Sequence, residues 1–139
     1  YAAWAATGRP LDVGYGLILF AFCPLFAGLY PLTQLYQFEE DRQRGDRTLA
    51  LILGMRVSLV VALVSTVVAF GLFAAAAIRL DVGPKGYAIL VPLVMWLSVL
   101  VPWLSRHDRW SPPQHQRGMY RALAAWAVTD VTVLFVFAT

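Results

Sequence analysis

The sequence predicts an all-α protein, a polytopic transmembrane helical bundle with four spans that form a single domain over residues 1–139. Two observations support this prediction. Of the 139 residues, 60% are hydrophobic and only 14% are charged, and the mean hydropathy is +0.65, which is typical of membrane proteins and not of soluble domains. Four segments are also nearly free of charge and long enough, at about 1.5 Å per residue, to cross a hydrocarbon layer of about 30 Å.

The predicted spans occupy residues 13–36, 50–78, 87–105 and 119–139. Within the first span, Pro24 and Pro31 each remove a backbone hydrogen bond. Neighbouring helices can make up such a loss inside a membrane, commonly with a kink. We therefore expect a bent helix end close to residue 33.

The second and third spans are separated by a predicted tight turn. Small side chains along the second span let helices approach closely, so we expect it to act in packing. Residues 79–86, RLDVGPKG, contain a Gly-Pro pair and a second glycine, which are typical of a turn. The third span ends in a polar segment, RHDRWSPPQHQRGMYR, whose SerProPro predicts a rigid loop. His107 and His115 lie in this proline-broken segment, and we expect both to be surface loop histidines.

The last span carries an acid, Asp130, near its middle. A charged carboxylate at the centre of a transmembrane helix costs roughly 2.5–3.5 kcal/mol on insertion scales, so we expect this side chain to face the bundle. A hydrogen-bond network with Thr129 or Thr132 is the favoured role, and steering of a substrate is the alternative.

The basic residues predict the orientation of the bundle. Of the 11 Lys and Arg residues, eight lie in the two polar connections 37–56 and 104–121. By the positive-inside rule, both connections face the cytoplasm, as expected of a protein of the inner or plasma membrane. We therefore expect EED at Glu39–Asp41 and HDRW at His107–Trp110 to meet at one mouth of the bundle. The net charge of +3 comes from loop arginines and predicts no nucleic-acid binding.

Most of the chemically reactive side chains lie in one stretch, TQLYQFEEDRQRGDRTL, from Thr33 to Leu49. If the first helix continues through it, Gln34, Gln37 and Asp41 share one face, with Tyr30 one turn above. The polar groups then line one inward stripe of the bundle.

Carboxylates and arginines in this stretch are suited to a magnesium-bound diphosphate. Glu40 and Asp41 offer the oxygen ligands that Mg²⁺ prefers, together with substrate phosphates. Arg44 and Arg47 match the geometry of phosphate groups. The other interpretation is a solvated loop whose charges pair with one another, and the spacing alone leaves both open.

The run YPLTQLYQFEEDRQRGDRTLALILG, from Tyr30 to Gly54, resembles the second aspartate-rich motif of the UbiA-type membrane prenyltransferases. That motif has an Asp-x-x-x-Asp core followed by Gly, a basic residue, Thr and Leu. Gln37 and Asp41 match the two aspartates, with Gln37 departing from the family's first acid. Gly45, Arg47, Thr48 and Leu49 match the remainder.

The resemblance implies that this chain, which opens at Tyr1 without a methionine, is the C-terminal half of such an enzyme, about the last four of nine helices. The partner motif, Asn-x-x-x-Asp-x-x-x-Asp, is expected in the preceding half. Alone, 139 residues are then an inactive fragment.

The resemblance also implies residue roles in a Mg²⁺-dependent transfer of an isoprenoid chain from a prenyl diphosphate to a small aromatic or lipidic acceptor. Asp41 and Arg47 would be catalytic. The metal ligands would be Asp41, Glu40 and Gln37, with Glu40 compensating for the missing charge of Gln37. Gln34, Tyr30, Arg44 and Arg47 would bind the substrate. Membrane lipids are the other expected partner.

A second function class stays open beside the enzyme. A non-enzymatic four-helix transport or assembly subunit could use the same acidic cytoplasmic loop to bind a partner or a cation. The resemblance favours the prenyltransferase. The acceptors known in that family range from hydroxybenzoate, naphthoate and homogentisate to tetrapyrroles, glycerophosphate and carotenoids.

Overall fold

A computed structural model describes residues 12–138 of the chain. The described part is 89% helical and contains no strand. Its α-helices are α1 (Val13–Leu32), α2 (Phe38–Arg44), α3 (Leu49–Leu53), α4 (Met55–Arg79), α5 (Leu90–Arg106) and α6 (Pro112–Phe137). Short 3₁₀ helices lie at Leu35–Gln37, Gly83–Ile89 and His107–Arg109.

Four helical runs in the described residues are long and apolar enough to cross a membrane. They are Val13–Arg44, Met55–Arg79, Gly83–Arg109 and Pro112–Phe137. The predicted fold class, an all-α bundle with four spans, is therefore confirmed.

Two local features of the backbone differ from the prediction. The predicted second span, 50–78, breaks at Gly54, whose φ of 77° and ψ of 157° separate the short α3 from α4. The predicted SerProPro loop is wrong, because the last helix already begins at Pro112. Ser111 caps this helix in a reciprocal capping box with Gln114, and proline fits the first helical turn, where its missing N–H would have no helical partner.

Helices α1 and α4 pack closely along their length. At Gly28, an added Cβ would lie 2.9 Å from the Ser65 Cβ and 3.0 Å from the Ala62 Cα. The absence of a side chain at Gly28 therefore sets the separation of these two helices. This agrees with the packing role predicted for the small residues of the second span.

Helices α5 and α6 form the other half of the bundle. The indole N–H of Trp96 on α5 donates to the Thr129 hydroxyl on α6 over 3.2 Å, and that hydroxyl donates to the Ala125 carbonyl over 2.8 Å. All polar atoms in this buried contact are paired, as a low-dielectric interior requires. The α4–α5 contact and ring contacts between α1 and α6 complete the bundle.

Asp130 lies half-buried on α6. Its side chain hydrogen-bonds to the Trp126 side chain, while the Thr129 hydroxyl bonds to Trp96 and Ala125. One of the two expected partners, Thr129, is thus engaged elsewhere. Trp126 also contacts the ring of Phe22 at a centroid distance of 5.9 Å, so Asp130 lies near the seam between α1 and α6.

Candidate functional site

The acidic stretch folds as a sequence of short elements and not as one continuous helix. After α1 ends at Leu32, one 3₁₀ turn, Leu35–Gln37, leads into α2. Gly45 ends α2 with a φ of 76°, a left-handed conformation that glycine adopts without steric cost. Thr48 then caps α3 by accepting a hydrogen bond from the Leu51 backbone N–H.

Arg44 gathers the acids of this segment around its guanidinium group. It donates to Glu40 over 3.1 Å, to Asp41 over 2.6 Å and to Asp46 over 3.0 Å. The three bonds use different nitrogens of the planar fork, which suits arginine's five N–H donors. The structure thus contains the internal ion pairs that the solvated-loop interpretation predicted.

Burial separates the two predicted acidic metal ligands. Asp41 is only 4% exposed, whereas the Glu40 side chain is 65% exposed. Solvent screens an exposed pair of charges, so the Glu40–Arg44 contact is weak. A buried carboxylate needs a partner to offset its desolvation, and the charge-assisted bond from Arg44 supplies it for Asp41.

The two predicted glutamines are both hydrogen-bonded. The Gln34 side-chain oxygen accepts from the Ala50 backbone N–H over 3.0 Å and so ties the 3₁₀ segment to α3. The Gln37 side-chain nitrogen donates to the Tyr36 hydroxyl over 2.9 Å. The carbonyl oxygen of Gln37 is the group that remains for a cation.

The predicted substrate-binding residues Tyr30 and Arg47 lie on the surface. Tyr30 is 49% exposed, and its ring centroid is 6.4 Å from that of Phe26. Arg47 is exposed in the turn between α2 and α3. Among the described residues, no acid forms an ion pair with Arg47.

A cavity of about 440 Å³ lies where the two polar connections meet. Glu39 from α2 and Arg56 from α4 contribute to one wall, and His107, Asp108 and Trp110 contribute to the other. The two segments predicted to meet at one mouth therefore do so. Carboxylate, guanidinium, imidazole and indole groups together can bind a polar molecule that carries an aromatic or apolar part.

His115 was predicted to be a surface residue, and this prediction is wrong. The side chain is buried, with 4% exposure, and its Nδ1 accepts a 2.8 Å hydrogen bond from the indole N–H of Trp103. Trp110 stacks on Trp103 at a centroid distance of 5.8 Å and an interplanar angle of 20°. The early start of α6 at Pro112 places His115 on the helix and against these rings.

Arg56 is a charged cavity residue that the sequence reasoning missed. It lies in the first turn of α4, directly after the break at Gly54. The signal available in the sequence is the glycine itself, since a helix that restarts there places the next basic residue at the mouth of the bundle.

These features define the class of the protein: a polytopic membrane protein with an acid-rich helix and a polar cavity at one end of its bundle. The chain belongs to the UbiA prenyltransferase family, whose model matches residues 1–124. It is therefore a member of a family of membrane prenyltransferases. No curated protein and no solved structure matches the chain significantly.

Proposed function

We propose that this chain contributes the second acidic motif of an enzyme that moves an isoprenoid chain from a prenyl diphosphate to a small aromatic or lipidic acceptor. The helices expected before it would supply the partner motif. The diphosphate would bind at α2, at the cytoplasmic end of the bundle. The observation that supports this best is the buried carboxylate of Asp41 on α2, the helix whose Glu39 lines the polar cavity.

Magnesium fits part of this donor set. Among the described residues, no three His, Cys, Asp or Glu side chains converge as a metal-binding group. Mg²⁺ does not require such a cage, because it is usually held by one or two carboxylates together with waters and substrate phosphates. Asp41 and the free carbonyl oxygen of Gln37, four residues apart, would hold the ion, whereas Glu40 lies exposed beside Arg44. When bound, the ion would neutralise charge on the leaving diphosphate.

The arginines of the motif would have different roles. Arg44 keeps Asp41 paired through the 2.6 Å bond, and it would shift its donors to phosphate oxygens when a diphosphate binds. Arg47, exposed and without an ion pair among the described residues, would contact the diphosphate directly. In both cases the guanidinium stabilises the negative charge that develops as the carbon–oxygen bond of the donor breaks.

An aromatic row offers a path for the isoprenoid chain. Phe22 and Phe26 on α1 both contact Trp126 on α6, at centroid distances of 5.9 Å and 6.2 Å. Tyr30 continues the row from Phe26 towards the acidic end. Hydrocarbon packs well against such rings, and their faces stabilise an allylic cation while the apolar surroundings exclude water.

The test is product formation by membranes that carry the complete polypeptide, given labelled prenyl diphosphates and a panel of hydroxybenzoate, naphthoate, homogentisate and glycerophosphate acceptors. We expect labelled product that depends on Mg²⁺ and is lost with a chelator. We expect Asp41→Asn to lower product formation by about 100-fold or more, as removal of a charge-stabilising group at a reacting centre does. Absence of product with every donor and acceptor pair would overturn the proposal.

Asp46→Asn is the matched control. Asp46 bonds to the same guanidinium as Asp41, but its side chain is 47% exposed. We expect its loss to change turnover by less than about threefold, because exposed ion pairs contribute little. Equal amounts of detergent-extracted protein would show that both variants insert. Equal activity of the two variants would contradict the role given to Asp41.

A further inference from the structure

The aromatic row between α1 and α6 is open at one end and closed at the other. Phe22, Phe26 and Tyr30 recur every four residues on α1, so they lie on one face of that helix. Phe26 and Tyr30 are exposed, whereas Phe22 is partly buried. The ring of Phe22 meets that of Phe73, a fully buried residue of α4, edge to face at a centroid distance of 5.3 Å. The row therefore runs from an exposed end near the acid-rich helix α2 into the core of the bundle.

Rings from three helices form the closed end of the row. Phe22 contacts Trp126 on α6 at a centroid distance of 5.9 Å, in addition to Phe73 on α4. Phe73 also packs edge to face on the buried Phe70, at 5.7 Å. A side-chain hydrogen bond to Asp130 holds the Trp126 indole. Protein interiors are close-packed, so rings that are held on several sides cannot move aside without cost.

The length of the row limits the length of a chain that lies along it. Gln37, whose carbonyl oxygen would hold the ion, belongs to the same helical run as Phe22. At about 1.5 Å per residue, residues 22 and 37 are about 22 Å apart along this run. An isoprene unit adds four carbon–carbon bonds of about 1.5 Å, which extend to about 5 Å. With the diphosphate and its ion at the cytoplasmic end, about three or four units fit before the closed end.

We propose that Phe22 determines the length of the isoprenoid chain that the protein accepts, by closing the row against Phe73 and Trp126. The donor is then a prenyl diphosphate of about three or four isoprene units. A longer chain must displace packed rings or leave the row. This inference rests on the proposed prenyl transfer and specifies its donor substrate.

The position of Phe22 distinguishes it from the other rings of the row. Phe26 and Tyr30 are exposed along the side of the row, so a chain passes them whatever its length. Trp126 contacts both Phe22 and Phe26, so its truncation would alter the side of the row together with its end. Phe22 is the ring of α1 that contacts both α4 and α6. Its truncation therefore opens the end and leaves the rest of the row in place.

Phe22→Ala in the complete, membrane-embedded polypeptide is the test. The measurement is kcat/KM for prenyl diphosphates of two, three, four, six and eight isoprene units with one acceptor. We expect the wild-type protein to prefer three or four units. In a hydrophobic pocket one methylene group changes specificity by about 10–200-fold, so Phe22→Ala should raise the ratio of kcat/KM for six units to that for four by about tenfold or more. Phe22→Leu should raise it less.

Phe20→Ala is the matched control. It makes the same chemical change on the same helix, but Phe20 is 62% exposed and, two residues from Phe22, lies on a different face. We expect its ratio of kcat/KM values to equal that of the wild-type protein. A ratio is independent of the amount of folded protein, so a loss of stability alone leaves it unchanged. An equal shift in Phe20→Ala and Phe22→Ala would overturn the inference.

The outcomes separate this inference from the proposed function. If the wild-type protein uses donors of every length equally well, the inference fails and prenyl transfer stands. A uniform fall in turnover of Phe22→Ala with every donor would also overturn it, since packing of Phe22 against another helix explains that result. If Phe22→Ala fails to insert, Phe22→Leu provides the same readouts. Absence of wild-type product with every donor overturns the proposed function itself.

Discussion

The close packing of α1 on α4 yields a prediction with a matched control inside the same protein. Gly28→Ala would place a methyl group 2.9 Å from the Ser65 Cβ and 3.0 Å from the Ala62 Cα. Carbon atoms pack at about 3.5–4.0 Å, so the helices must separate by more than half an ångström at this point. Gly71→Ala, on α4, meets nothing within 4 Å.

The two substitutions share the same gain in helix propensity, about 0.5–1 kcal/mol for glycine to alanine, so it cancels in their comparison. What remains is the overpacking at Gly28, which typically costs about 1–3 kcal/mol. We expect Gly28→Ala to be less stable than Gly71→Ala by that amount. Unfolding of the detergent-solubilised protein by increasing fractions of SDS, followed by circular dichroism, measures the difference.

A double variant sharpens the comparison. Ser65→Gly removes the nearer of the two contacts but leaves the backbone contact with Ala62. Gly28→Ala combined with Ser65→Gly should therefore be destabilised less than the two single changes would add up to. If Gly28→Ala and Gly71→Ala unfold at the same SDS fraction, the helices do not approach as closely as the structure places them, and the reasoning is refuted.

Three further stability predictions use the same unfolding assay. Trp96→Phe removes the indole donor to Thr129 and should lower the free energy of unfolding by about 0.5–1.5 kcal/mol. Thr129→Val should then destabilise the Trp96→Phe variant less than it destabilises the wild-type protein. Ser111→Ala removes the capping box of α6 and should lower the free energy of unfolding by about 1 kcal/mol. Ser111→Asp should keep most of that stability, because aspartate is also a good N-cap residue. Gly45→Ala, at a φ of 76°, should cost about 1 kcal/mol and Gly45→Asn less, because asparagine tolerates the left-handed conformation better.

The sequence was sufficient for the number of spans, because a membrane imposes one requirement that each span meets by itself. A segment must be apolar over about 20 residues, and local composition shows this directly. The sequence was also sufficient to predict that Glu39 and Asp108 lie at the same mouth of the bundle. Spans that alternate in direction place every second connection on the same side. Both inferences are independent of how side chains pack.

The predictions that failed depended on local backbone geometry or on tertiary partners. SerProPro was assigned to a loop, but the same residues open a helix when Ser111 caps it, and the sequence pattern allows either. His115 was placed on the surface as a consequence of that loop. The rings of Trp103, twelve residues earlier on another helix, and of Trp110 account for its burial, and Trp103 supplies its hydrogen bond. Such a contact has no periodic signature in the sequence.

The ion pairs at α2 bear on how a diphosphate would bind. The carboxylates of Glu40, Asp41 and Asp46 contribute a charge of −3 and Arg44 contributes +1, so this cluster has a net charge of −2. The cluster by itself repels a bare diphosphate and attracts a divalent cation. Arg47, which would contact the diphosphate directly, offsets part of this repulsion, and the anion would therefore bind more tightly together with its metal. We accordingly expect diphosphate to bind membranes that carry the protein far more weakly in a chelator than in Mg²⁺. The difference should shrink when Asp41→Asn removes one of the charges, because the variant repels the anion less and holds the metal less.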